Sequence, residues 1–204
     1  NTADNLGLNY KLVASENVND QANKVDELIQ MNCDYIVMMP DNDELAVAAQ
    51  KVLDAGIVLI DFDRTLGDVT PDYYVAGDNF GMGVAGAEYI LEKCADMDEI
   101  NVVIMNIPAY GDIFKERVDG AKSVFDGVDN VNILGEYASD NGAPETVLPV
   151  MTDVLSKHQD IDAIYSSDDE MSMGILQACT ARFGTCLFGR AHLEFSFGLP
   201  QLFI

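Results

Sequence analysis

Four times along this chain a short β-rich run stops abruptly at a polar cluster, and a helical pattern follows. Residues 57–60 run into Asp61-Phe62-Asp63-Arg64, and residues 73–76 into Gly77-Asp78-Asn79. Residues 100–105 lead through a loop to Glu116-Arg117, and residues 163–165 into Ser166-Ser167-Asp168-Asp169-Glu170. Apolar strands alternating with helices imply a mostly parallel sheet covered on both faces. In open sheets of this kind ligands sit outside the carboxyl ends of the strands. Those ends would therefore carry carboxylates, an amide and two guanidinium groups, which suits them to hold a small polar molecule.

The 204 residues suffice for one large or two small domains, and a 49% hydrophobic content supports real cores. No apolar run approaches the roughly 20 residues of a membrane-spanning helix. The net charge of −24 argues against a nucleic-acid surface, because phosphate contacts need clustered Lys and Arg. The carboxylates are dispersed, so the acidity reads as a solvated surface. Cys33, Cys94, Cys179 and Cys186 show no paired spacing, so neither a zinc site nor a disulfide framework is expected. No signal peptide is visible, and Asn1 begins inside a polar stretch without an initiator Met, as in a mature or trimmed product.

The pattern predicts strands over 10–15, 35–39, 57–62, 73–76, 100–106, 131–137 and 163–166. It predicts helices over 20–32, 43–55, 81–94, 113–125, 143–158 and 171–181, with Pro149 calling for a kink or a later start in the fifth. The strands at 35–39, 57–62 and 100–105 are expected to lie parallel in one sheet. Residues 108–111 are expected to cross between two lobes. These would be 1–107 and 108–182, leaving 183–204, rich in Phe and Leu but without a period, unassigned.

Residues Gly81 to Gly86 match G-x-G-x-x-G, but Asp78-Asn79-Phe80 separate them from the preceding strand, and the next strand ends without a carboxylate for a ribose. Small residues allowing close packing of a helix on the sheet explain the run better than a dinucleotide does, so no cofactor is expected. Asp63 and Arg64 pair a two-oxygen acceptor with a planar donor fork, a combination suited to neighbouring hydroxyls. Arg117, alone, would be a solvated helix residue. One of Asp168 and Asp169 is expected to cap a helix while the other faces a ligand. No nucleophile or phosphate-loop motif occurs, and no metal-loop spacing surrounds residues 41–43 or 96–98, so the chain reads as a binder and not an enzyme.

In order, residues 58–64 (VLIDFDR), 75–79 (VAGDN) followed by Gly81 and Gly83, 116–120 (ERVDG) and 164–174 (IYSSDDEMSMG) resemble the sugar-binding members of the type I periplasmic-binding-protein family. The similarity spans roughly 10–179. It implies an α/β fold of two Rossmann-like lobes with parallel sheets flanked by helices, closing about a hinge on a monosaccharide. Asp63 and Arg64 match first-lobe sugar contacts. Arg117 matches a second-lobe arginine, Asp168 falls where the family usually has a ligand-binding Asn, and Asn79 belongs to a loop motif with a further ligand role. The family's opening strand has no counterpart before Asn1, and its later second-lobe strand is not recognisable after Arg182, so the fold is expected to be incomplete at both termini. The implied partners are a small-molecule sugar and the membrane subunits of an ABC importer, with the protein a monomer outside the cytoplasm. The alternative is the effector domain of a LacI-type transcription regulator, which a helix-turn-helix ahead of this sequence would mark. A nicotinamide-dependent enzyme is the third reading.

Overall fold

The computed structural model describes residues 2–184, which divide into two compact units between Gly77 and Asp78. The tail at 185–204, with Cys186, lies outside the described residues.

In the first unit a short helix α1 (Thr2–Asn5) precedes an irregular stretch, then α2 (Val18–Gln30) and strand β1 (Tyr35–Met38). A 3-10 turn (Asp43–Leu45) leads into α3 (Ala46–Asp54), then β2 (Val58–Phe62) and β3 (Tyr73–Val75). Asn17 starts α2 by accepting the Asp20 N–H at 3.0 Å, which gives one of the orphan donors of a helix start a partner. The strands form a parallel sheet in the order β1-β2-β3. Alternation sends Ile36, Met38 and Leu59 to the face covered by α2 and α3, where they join Val25, Leu45, Ala49, Val52 and Leu66 in one core. The other face carries Tyr35, Val37, Phe62, Tyr73 and Val75, all exposed.

The second unit runs α4 (Asn79–Lys93), β4 (Ile100–Asn106), a 3-10 turn (Pro108–Tyr110) and α5 (Asp112–Phe125). It continues with β5 (Val131–Ala138), α6 (Pro144–Lys157), β6 (Ala163–Ser166) and α7 (Asp169–Phe183). The parallel order is β5-β4-β6, with β4 buried almost throughout. Val102, Ile104, Ala163 and Tyr165 face α4 and α5, whereas Val103, Met105 and Ile164 face α6 and α7. Central position and cover on both faces account for the continuous apolar run at 102–105.

Several expectations need correction. Residues 100–106 form the central strand of the second sheet and do not join 35–39 and 57–62. The units part between Gly77 and Asp78, not after 107, and Pro108–Tyr110 is a turn inside the second unit. Strand periodicity does not say which neighbour takes the backbone hydrogen bonds, and here β4 finds β5 and β6. Residues 10–15 are not a strand, since no neighbour among the described residues pairs with them. α6 starts at Pro144, where a proline pre-sets a helix start, and not later, and Pro149 lies inside it.

Glycines decide how the helices meet. A Cβ on Gly83 of α4 would overlap the Arg117 carbonyl, and one on Gly120 of α5 would overlap the Phe80 carbonyl. The Gly81–Gly86 run thus serves a helix–helix contact, where close approach to the sheet was expected. Gly83→Ala should lower the free energy of unfolding by ~1–3 kcal/mol in urea titration, by overpacking. Helix propensity alone predicts the opposite sign, a gain of about 1 kcal/mol.

Candidate functional site

At the carboxyl end of the first sheet, β2 delivers Asp63 and Arg64 into a tight turn. The Arg64 N–H donates to the Phe62 carbonyl at 2.9 Å, and Asp63 between them has φ of 71°. A positive φ at a non-glycine residue is uncommon, and a three-residue turn of this hand is rare and strained. Neighbours hold it there. The Asp63 N–H donates to the Val75 carbonyl at 2.9 Å, and the Tyr74 hydroxyl donates to the Asp63 carbonyl at 2.9 Å. Arg64 Nη1 donates to the Asp41 carbonyl at 2.7 Å, with the Asp41 carboxylate 4.0 Å away. The loop carrying Asp41 is itself fixed by Gln21, which donates to the Met39 carbonyl at 2.8 Å and accepts the Asp41 N–H at 3.0 Å. No sequence pattern marks Gln21 for this task, because its partners lie eighteen and twenty residues away.

Beneath the turn sits Asp61, 1% exposed, with no hydrogen-bond partner at Oδ1 among the described residues. Burial pushes its carboxyl up to about 6, opposed only by the Phe62 N–H, which favours the charged form.

In the second unit Arg117 stands in the second turn of α5. Its Nε donates to Asn79 Oδ1 at 3.0 Å, its Nη1 donates to the Ser167 carbonyl at 2.9 Å, and its guanidinium lies 5.0 Å from the centre of the Phe114 ring. The Tyr165 hydroxyl donates to the Arg117 carbonyl at 3.1 Å, and burial pushes that phenol up to about 12, so it stays a donor. The guanidinium is thus anchored at two of its nitrogens, Nε and Nη1. Asn79, at the first position of α4, is 4% exposed and sits behind the arginine. Asp168 caps α7, its Oδ1 accepting the Glu170 and Met171 N–H groups at 2.9 and 3.3 Å. Asp169 follows; partial desolvation and then the Asp168 charge raise its pKa, and Arg117 lowers it. Ser167, 3% exposed, has no hydrogen-bond partner at Oγ among the described residues.

Asp63 and Arg64 therefore adjoin one another in one unit, while Asn79, Arg117 and Asp168 gather in the other. Among the described residues no His, Cys, Asp and Glu group has the arrangement of a metal site, and no helix is long and apolar enough to cross a membrane.

Both units are parallel α/β structures with polar groups outside their strand ends. The chain belongs to the periplasmic binding protein domain family, which matches residues 1–187, and its fold is of type I. It is 26% identical to the D-xylose-binding periplasmic protein of Haemophilus influenzae, over 89% of this chain and 56% of that protein. It is 28% identical to the ribose import binding protein RbsB of Salmonella typhimurium, over 86% of this chain and 59% of that protein. Among solved structures, it superposes on an ABC transporter periplasmic solute binding protein of Actinobacillus succinogenes with bound D-allose. There the TM-score is 0.76 and the identity 25%, covering 89% of this chain and 65% of that one. A Bacillus halodurans solute binding protein with bound myo-inositol shares the fold at a TM-score of 0.80 and 21% identity, over 90% of this chain and 64% of that one. The chain thus spans a little over half the length of its curated relatives.

Asn79→Ala would strip the Arg117 Nε of its acceptor in a buried setting. Unfolding free energy in urea should fall by ~1–3 kcal/mol.

Proposed function

We propose that this chain is the ligand-gripping part of an extracytoplasmic solute-binding protein that captures a monosaccharide and passes it to the membrane subunits of an ABC importer. The observation that carries the reading is the paired equipment of the two units. Each presents, outside the carboxyl ends of a parallel sheet, a guanidinium anchored on a backbone carbonyl, with carboxylates beside it. A sugar offers adjacent hydroxyls that both donate and accept. A carboxylate takes the donated protons, and a fixed guanidinium fork supplies protons to the oxygens. The names of the relatives, which bind xylose, ribose and allose, support the same ligand class.

In this reading Asp63 and Arg64 hold the sugar from the first unit, and Arg117 and Asp168 from the second. Asn79 serves as a positioning residue behind Arg117, not as a direct contact, because it is buried and its Oδ1 is occupied by the guanidinium. The units close about a hinge, and closure removes water from the polar contacts. Binding of this kind needs no nucleophile and no metal, and the protein works as a monomer without nucleic acid.

The test is calorimetry with D-ribose, D-xylose and D-allose on the full-length protein that contains this chain. One of these sugars should bind. Arg117→Ala removes a hydrogen bond to a charged group worth ~1.5–3 kcal/mol, so affinity should fall about ten- to a hundredfold. Arg117→Lys should recover little, because a point charge cannot both keep the Asn79 and Ser167 anchors and reach the ligand. A wild-type protein that binds none of the sugars defeats the reading, and an Arg117→Ala variant with undiminished affinity removes Arg117 from the site.

A further inference from the structure

Asp61 is the residue that neither the fold nor the proposed contacts account for. It occupies the last turnward position of β2 on the helix-covered face, opposite Met38 on β1 and Tyr74 on β3. A buried carboxylate is ordinarily paired or coordinated, because leaving an ion without a partner in a low-dielectric setting is costly. Here Oδ1 has no hydrogen-bond partner among the described residues, and charged and titratable groups on the surrounding elements are engaged elsewhere. On α3, Lys51 pairs with Asp26 of α2 at 2.8 Å, and Asp54 accepts from Gln50 at 2.9 Å. On β1, Tyr35 is exposed on the opposite face. On β3, the Tyr74 hydroxyl donates to the Asp63 carbonyl. In the flanking loops, Asp72 Oδ2 accepts the Leu59 N–H at 2.9 Å, and Arg64 reaches over to the Asp41 carbonyl. Asp43 and Glu44 begin the turn ahead of α3 and supply no donor.

Asp61 also has a direct route to the ligand end. Its carboxylate takes the Phe62 N–H, the Phe62 carbonyl takes the Arg64 N–H, and Asp63 lies strained between them. We propose that Asp61 is a positioning residue that works in its protonated form. As a neutral acid it lets the strand end pack over it and keeps the Asp63–Arg64 turn in the conformation that presents both side chains; on losing its proton it loosens that turn. The inference rests on the reading that Asp63 and Arg64 hold the sugar.

The sign follows from linkage. The folded-state carboxyl titrates at about 6, above the ordinary value of 3.8. Folding therefore favours the protonated form, and the stability this contributes is fully present below the ordinary range and lost as pH rises through about 6. Sugar affinity should follow the turn and be higher at pH 5 than at pH 7.5.

The experiment pairs calorimetry of D-ribose, D-xylose and D-allose at pH 5 and pH 7.5 with carbon NMR of the Asp61 carboxyl, on the full-length wild type and on Asp61→Asn. The neutral isostere should bind at pH 7.5 with the affinity the wild type shows at pH 5. It should lose the several-fold pH dependence of the wild type and melt at a higher temperature than the wild type at pH 7.5. In the wild type, the backbone amides of Asp63 and Arg64 should shift with the same midpoint as the Asp61 carboxyl. An Asp61 carboxyl that titrates in the ordinary range, or an Asp61→Asn protein with the wild-type pH profile, overturns the inference while leaving the sugar reading intact. A wild type that binds none of the sugars at either pH overturns both.

Discussion

Where α4 and α5 cross, backbone meets backbone, and the placement of Arg117 depends on that contact. Gly83 leaves room for the Arg117 carbonyl, and Gly120 for the Phe80 carbonyl, so the helices approach without side chains between them. The approach brings the start of α4 beside the second turn of α5, and Asn79 can then take the Arg117 Nε. From the sheet below, Tyr165 donates to the carbonyl of the same arginine and Ser167 accepts from its Nη1. A long, flexible side chain with about 2 kcal/mol of rotamer entropy to lose is thereby held before any ligand arrives. Preorganisation of this kind lowers the cost of binding.

The first unit reaches a similar end by other means. Its guanidinium is anchored on the Asp41 carbonyl, and the loop bearing Asp41 is anchored by the side chain of Gln21. Its carboxylate is aimed by a backbone conformation that a non-glycine residue adopts only when its surroundings insist. The strain at Asp63 and the buried Asp61 carboxylate, whose Oδ1 has no partner among the described residues, lie within three residues of one another, on the strand end that the proposed ligand would meet. The covered core of Leu59, Leu45 and Val52 offsets the cost of these local departures.

The helices that cover the two sheets differ in a way that bears on the sequence. Both faces of the second sheet pack on helices of their own unit, so β4 reads as an uninterrupted apolar run. The first sheet buries Ile36, Met38 and Leu59 on one face, while its other face, with Tyr35, Val37 and Phe62, is exposed yet equally apolar. The strands of both sheets therefore look alike in sequence, and the run at 100–105 carries no mark of the sheet it joins.

Much was legible because it is local. Alternating periodicities reveal strands and helices, abrupt polar clusters mark the strand ends, and the Asp168-Asp169 pair before a helix announces a cap, since each depends on residues a few positions apart. Asp63 and Arg64 are conspicuous because charge directly after an apolar strand has few structural uses, whereas Arg117, inside a helix, is marked only by the family resemblance. The tertiary structure decided the rest. Which strands share a sheet, that the units part at Gly77 and Asp78, that Gly83 and Gly120 face each other, and that Asn79 lies behind Arg117 all join residues far apart in the chain. Such pairings are selected by the packing of the whole, and one-dimensional periodicity carries no record of them. Asp61 shows the division most clearly: the sequence displays a carboxylate at a strand end, and only the fold reveals that it is buried with an oxygen unpartnered among the described residues.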